Sequence, residues 1–354
     1  MFMPHADHKD REHYPALYWS FVGMTALLVL VFTFFGLHTL LWLFRSLRLH
    51  FADPTYFREL KRNARAQAGA RVYLRFRPVD RLCHTLLIIS FMLLVMTGMP
   101  LKFHSAPWAQ YLFAYIGGAR TAGRLHRFGA LLTLGYFIIH LASLIGPIRR
   151  ARPQYSDAQG HISLRKFFAF ATGPDSPVPN SQDLRDVVAH MKWFVGRGPR
   201  PAFDRFTYWE KFDYFAVFWG VAVIGLSGLV MWFPLQITHL FPGWIINVAH
   251  FIHSDEALLA AGFIFTFHFF NSSFRPEKFP LDQVMFSGRV TESELRNDRA
   301  RQFDRLSKAG QLETLRIHGE GPSWKWLFGP LGAMAIVIGL ILAVAIFWSM
   351  IRRY

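Results

Sequence analysis

The sequence predicts an all-α integral membrane protein with six transmembrane helices, four of which form a central bundle of two repeated hairpins. Six long apolar stretches, an alternating charge pattern and an internal repeat carry that expectation. The chain has 354 residues, 52% hydrophobic and 17% aromatic, including 37 Phe and 11 Trp. The stretches run approximately over 16–44, 82–101, 128–145, 212–233, 245–270 and 327–350, each near the roughly 20 residues that cross a bilayer core. The organisation expected is an outer N-terminal tail (1–15), an extra span (16–44) and a basic cytoplasmic loop (45–81). A four-helix core (82–272, with the inner loop 149–211), a cytoplasmic segment (273–323) and a C-terminal span (324–354) follow.

The first stretch reads as a retained helix. Its flank mixes acids, bases and three His instead of forming a basic n-region, and no small-residue cleavage site follows it. The formal net charge of +16 suggests nucleic acid until its distribution is considered. Segments on alternate sides of the spans carry 31 Lys and Arg against 8. The positive-inside rule assigns the 31 to the cytoplasm and both termini to the outer side. The charge is thus a signal of topology and of anionic lipid, and no nucleic-acid partner is expected. Cys83 is the single cysteine, so this chain forms no internal disulfide, attaches no c-type haem and builds no cysteine-ligated cluster.

The repeat joins the second to fifth spans. Arg75-Phe76, Asp80-Arg81 and Thr97-Gly98 are echoed 130 residues later by Arg205-Phe206, Glu210-Lys211 and Ser227-Gly228. His126, Ala130-Leu131-Leu132 and Gly135 are echoed 127 residues later by His253, Ala257-Leu258-Leu259 and Gly262. A parallel repeat implies a pseudo-twofold axis along the membrane normal. The echo fails at His84, whose counterpart is Tyr214. The first and last spans lie outside the repeat and read as packing or docking helices. Residues 292–306 have amphipathic spacing and are expected at the inner membrane face.

The histidines carry the chemistry. His126 and His140 are fourteen positions apart on one apolar helix, and His253 and His268 fifteen apart on another. Fourteen steps carry a side chain roughly 21 Å along the axis and return it to nearly the same face. Ionisable residues inside a span are costly and usually functional. Imidazoles from different helices at two depths predict two six-coordinate b haems, an outer one held by His126 and His253 and an inner one held by His268. For the second inner ligand the residues leave His84 and His140 open. His250, one turn before His253, reads as a surface or propionate-contacting residue at the rim. Arg124, Arg127, Arg81 and Arg275 lie where propionates would need cations. Gly98, Gly129, Gly135, Gly228 and Gly262 suit close approach of porphyrin or of a neighbouring helix. Zinc is a poor rival, because four close ligands are not available at both depths.

Arg81-Leu-Cys-His84, opening a helix that ends in Thr97-Gly98, resembles the cytochrome b (gamma) subunit of respiratory formate dehydrogenases. So do Gly123-Arg-Leu-His126-Arg-Phe-Gly129 and the run from Ile252-His253 through Gly262 to His268. The related b-type cytochromes of nickel–iron hydrogenases and thiosulfate reductases belong to the same wider group. The likeness covers about residues 70–280. It implies inner ligation by His84 with His268, and electron exchange between the quinone pool and a periplasmic partner, an iron–sulfur or multihaem c-type subunit. It also implies residence in the bacterial inner (cytoplasmic) membrane. His140 then becomes a proton-exchanging group at a quinone site. Three departures stand out: the added His140, the one-residue-longer gap from His253 to His268, and the extra spans and loops. The alternatives are a haem-free transporter or scaffold and a self-contained transmembrane haem reductase. No soluble catalytic motif is visible, so any enzymatic role is that of an electron-transfer subunit.

Overall fold

A computed structural model describes residues 7–59, 71–317 and 325–352, with the side chains of the last segment described from residue 329. The chain is all-α in its membrane part. Six helices are long and apolar enough to cross a bilayer: Pro15–Ala52, Pro78–Lys102, Gly118–Arg150, Tyr208–Trp232, Trp244–Phe274 and Gly329–Arg352. Proline occupies the first turn of the first and second spans, where its missing N–H costs nothing. A Thr207–Glu210 capping box starts the fourth, just ahead of its apolar run.

The fifth span is the central element, and half of its apolar window is buried. Close approach at two glycines fixes its outer neighbours. A Cβ on Gly262 would lie 2.5 Å from Phe32 of the first span, and a Cβ on Gly339 of the last span 2.6 Å from Phe269. The two extra spans therefore grip the fifth from opposite partners, one through a glycine it carries and one through a glycine it faces. Gly262 thus serves helix packing. The first span adds Val31, Phe35 and Trp42 to a core shared with Leu259, Phe263, Phe267 and Phe270. The last adds Leu342 and Ile346 to a second core with Ala261, Phe265 and Phe269.

The fifth span changes pitch. It is α-helical over Trp244–Phe263 and then π-helical over Ile264–His268 and Phe270–Phe274. Bonding from i to i+5 fits an extra residue into a turn. This accounts for the longer His253-to-His268 gap: the added residue is absorbed after Gly262, and the repeat offset becomes 128 for His140 and His268.

Two-fold pairing is visible where the hairpins begin. The Arg75 guanidinium donates to the Arg205 carbonyl at 2.9 Å, and Arg205 donates to the Arg75 carbonyl at 2.9 Å. Reciprocal contacts between equivalent residues are the mark of a two-fold relation.

The three Lys- and Arg-rich segments meet in one extramembrane layer, so they share one side of the bundle. Strand β1 (Val72–Leu74) pairs antiparallel with β2 (Arg289–Thr291) and β3 (Arg316–Ile317), in the order β2-β1-β3. Gly288 leads into β2 with a positive φ, and a Cβ there would lie 2.6 Å from the Phe76 carbonyl. Residues 292–306 differ from expectation. They form two short helices, Glu292–Asp298 and Ala300–Lys308, whose Leu295, Phe303 and Leu306 pack on Tyr73, Val290 and Leu312. Their apolar face is spent on this small core and not on lipid.

Ion pairs tie the layer together. Lys278 sits 3.0 Å from both Asp282 and Asp298, and Arg301 bridges Asp186 at 2.8 Å and Asp204 at 3.0 Å. Burial alone would push the Asp298 carboxyl up, but Lys278, Arg200 and Arg299 overcome it and hold the group far below the usual carboxylate range. Burial alone would lower the Lys278 ammonium, but Asp298 and Asp282 outweigh it and raise it.

Candidate functional site

At one level of the bundle His126 of the third span faces His253 of the fifth, with ring centres 6.1 Å apart. Each ring is held in the same way. Thr97 Oγ1 donates to the Leu93 carbonyl at 2.7 Å, which uses its only hydrogen. It can therefore only accept from His126 Nδ1, at 2.9 Å. Ser227 Oγ donates likewise to the Val223 carbonyl at 2.6 Å and accepts from His253 Nδ1 at 3.2 Å. The Ile224 carbonyl takes the same Nδ1–H at 3.0 Å. Both imidazoles thus carry their proton on Nδ1, and Nε2 keeps the lone pair.

The glycines after these hydroxyl residues bring the backbone against the rings. A Cβ on Gly98 would lie 3.1 Å from His126 Cε1, and one on Gly228 3.2 Å from His253 Cε1. Gly129 instead receives Leu94, and Gly135 has nothing within 4 Å. An imidazole nitrogen binds a metal at about 2.0–2.1 Å, with the ring centre roughly 1 Å farther out. Two imidazoles in line on one metal then have ring centres about 6 Å apart. The donor set, the tautomers and the spacing at this level all fit a bis-imidazole iron.

Towards the extramembrane layer lies the second level. His268, at the end of the first π-helical segment, donates Nδ1–H to Asp213 Oδ2 at 3.0 Å. In the neutral ring Nε2 is then the lone-pair nitrogen. His84 of the second span has a buried Nδ1 with no hydrogen-bond partner among the described residues. Its Nδ1 thus lacks the outer acceptor that the His126, His253 and His268 rings each have. His140 is engaged differently: its Nε2 is 2.9 Å from the Tyr214 hydroxyl. Tyr214 is the repeat counterpart of His84 and His268 the counterpart of His140, so one axis relates a His84–His268 pair to a Tyr214–His140 pair.

The remaining sequence candidates lie around these levels. Arg124 and His250 are exposed, and Arg127 is exposed with its guanidinium over Trp232. Arg81 donates through Nε to the Phe286 carbonyl at 2.8 Å. Arg275 is buried, with its guanidinium over Trp42 and Trp209. That places it in a separate polar cluster. There the Tyr208 hydroxyl lies 2.6 Å from His38 Nε2 and 2.9 Å from His190 Nδ1, and both imidazoles are wholly buried. Burial, then His38, Arg200 and Arg275, hold His190 well below its ordinary value.

Asp213 was not singled out from sequence. A carboxylate one turn inside an apolar helix was the available signal. The hydroxyls of Thr97 and Ser227 were visible only as echoes of the repeat. Among the described residues there is no cluster of three or more His, Cys, Asp or Glu suited to a bare metal ion. Compared with family models and with curated proteins, the chain gives no match.

Proposed function

We propose that the chain is a dihaem b-type membrane cytochrome subunit that passes electrons between the quinone pool and a periplasmic redox partner in a respiratory complex. The observation that carries the reading is the His126–His253 pair, 6.1 Å between ring centres, with both protons fixed on Nδ1. In this reading the second pair is His84 with His268, at another depth of the same bundle. His140 is the weaker inner ligand, because its Nε2 is spent on Tyr214.

Bound haem would supply one-electron chemistry at iron, with the protein setting ligand orientation and burial. The chain's own residues do the rest. Thr97, Ser227, Ile224 and Asp213 keep the ligating rings in one tautomer, a role that outer partners of metal-bound histidine commonly fill. Arg81, Arg124 and Arg127 stand at the rims for the propionates. His140 and Tyr214 form a hydrogen-bonded pair next to the second level and close to the polar layer. That suits them to hold and move a proton for a quinone bound there. The basic layer faces the cytoplasm by the positive-inside rule, which puts His126 and His253 on the periplasmic side, facing an iron–sulfur or multihaem c-type subunit. The membrane is then the bacterial inner membrane.

A dithionite-reduced spectrum of purified, haem-supplied chain tests the reading. The expected result is a sharp α band near ~560 nm from two haems. One haem is lost in His126→Leu or His253→Leu, the other in His84→Leu or His268→Leu, and neither in His140→Leu. Reduction by quinol separates this function from a self-contained reductase. A colourless protein, or the same haem content in all five variants, refutes it.

A further inference from the structure

The two levels differ in what their imidazoles lean on. At the first, Nδ1–H of each ring goes to neutral oxygens: Thr97 Oγ1, Ser227 Oγ and the Ile224 carbonyl. At the second, Nδ1–H of His268 goes to a carboxylate, Asp213 Oδ2, at 3.0 Å. The repeat counterpart of Asp213 is Cys83, whose Sγ sits 3.8 Å from the Tyr136 carbonyl. The carboxylate is thus supplied by one copy of the hairpin and has no acidic counterpart in the other.

We infer that Asp213 is a positioning residue that gives the second-level centre a lower reduction potential than the first. The inference rests on the dihaem reading above. A hydrogen bond to an ionised acceptor is roughly twice as strong as one between neutral groups. It draws the Nδ1 proton toward the carboxylate and makes Nε2 a stronger donor to the metal. A full negative charge one imidazole away also favours ferric over ferrous iron, in a site whose low dielectric screens it weakly. Asp213 Oδ1 is buried and has no hydrogen-bond partner among the described residues, so no neighbouring cation disperses that charge through it. Asp213 lies in the fourth span and His268 in the fifth, so the bond also fixes the His268 ring against rotation on its π-helical segment. The step from the second level to the first then runs downhill.

Whole wild-type, Asp213→Asn and Asp213→Glu chains, purified after haem supply, are compared by spectroelectrochemical titration. The wave missing from His84→Leu marks the second level. In the wild type the second-level wave is expected below the first. In Asp213→Asn it is expected to rise by at least a tenfold change in the ferric-to-ferrous ratio at fixed potential, about 59 mV for one electron. The first-level wave stays in place, and Asp213→Glu restores the separation. The ferric second-level electron-resonance signal changes its anisotropy in the Asn variant alone. A second-level wave that does not move, or that moves together with the first, overturns the inference while leaving the haems in place. Where Asp213→Asn fails to hold the second haem, Asp213→Glu decides. A wave below the first level supports the charge effect; a wave at or above it, or loss of haem from both variants, overturns it. A wild type without any haem band removes the dihaem reading itself, and that result is distinct from all of these.

Discussion

Gly339→Ala is expected to loosen the last span from the helix that carries His268. The added Cβ would lie 2.6 Å from Phe269 Cε2 and 2.7 Å from Phe265 Cδ1. Carbon atoms pack best at about 3.5–4.0 Å, so both contacts are roughly 1 Å too short. Neither ring has room to yield. Phe265 is 1% exposed and packs on Phe91 with ring centres 5.8 Å apart, and Phe269 packs on Phe265 at 5.6 Å. Overpacking of this kind costs about 1–3 kcal/mol. Replacing a helical Gly by Ala returns about 0.5–1 kcal/mol through backbone entropy, so the net change is smaller than the clash. Gly36→Ala supplies the control, because that glycine has nothing within 4 Å and sits inside the first span. Thermal denaturation in one detergent should rank Gly36→Ala at or above wild type and Gly339→Ala below it. The two variants should be separated by the full clash, about 1–3 kcal/mol. A Gly339→Ala protein as stable as Gly36→Ala would refute the close approach and the role of the last span as a clamp.

Thr97→Val removes the hydroxyl that orients His126, and Ser227→Ala the one that orients His253. Each is expected to weaken haem retention at the first level by about 10- to 100-fold, read by haem loss on dilution, with the second level unaffected. Asp298→Asn leaves Lys278 with Asp282 alone and is expected to destabilise the extramembrane layer by about 3–5 kcal/mol, seen as faster limited proteolysis of residues 275–317. Because the folded Asp298 carboxyl is depressed, its stabilisation is complete above the unfolded value near ~3.9 and is lost as pH falls below it; proteolysis of the layer should accelerate there and not between neutral and mildly acidic pH. Tyr208→Phe strands His38 and His190, at about 1–3 kcal/mol for each unsatisfied group. His190, depressed in the fold, contributes stability that is full above about 6.5 and declines as pH falls through that value, measured by denaturation against pH.

The spans were legible because length and apolarity are local properties. The stretch read as 212–233 is the helix Tyr208–Trp232, and 245–270 is Trp244–Phe274. The apolar runs undercounted the helix ends, since Arg149, Arg150 and His50 continue helices that hydropathy does not register. The sheet was invisible for the opposite reason. Its strands are two or three residues long and come from positions 72, 289 and 316, so pairing and not propensity creates them. The repeat located His126 and His253 opposite each other, while the extra residue before His268 looked like a misfit until the π-helix absorbed it. Asp213 stayed hidden because its meaning depends on His268, 55 positions away.

The clasp of Arg75 and Arg205 has a further consequence. Two identical polypeptides meeting about such an axis would be forced to place the same side chain at both equivalent positions. Tandem fusion of the halves lifts that obligation: each locus can drift alone while the shared scaffold stays matched. His84 opposite Tyr214, and Cys83 opposite Asp213, are what such freedom leaves behind. One half keeps an imidazole, the other a phenol and an acid, and a polarity that no symmetric dimer could hold is written into a single strand of peptide.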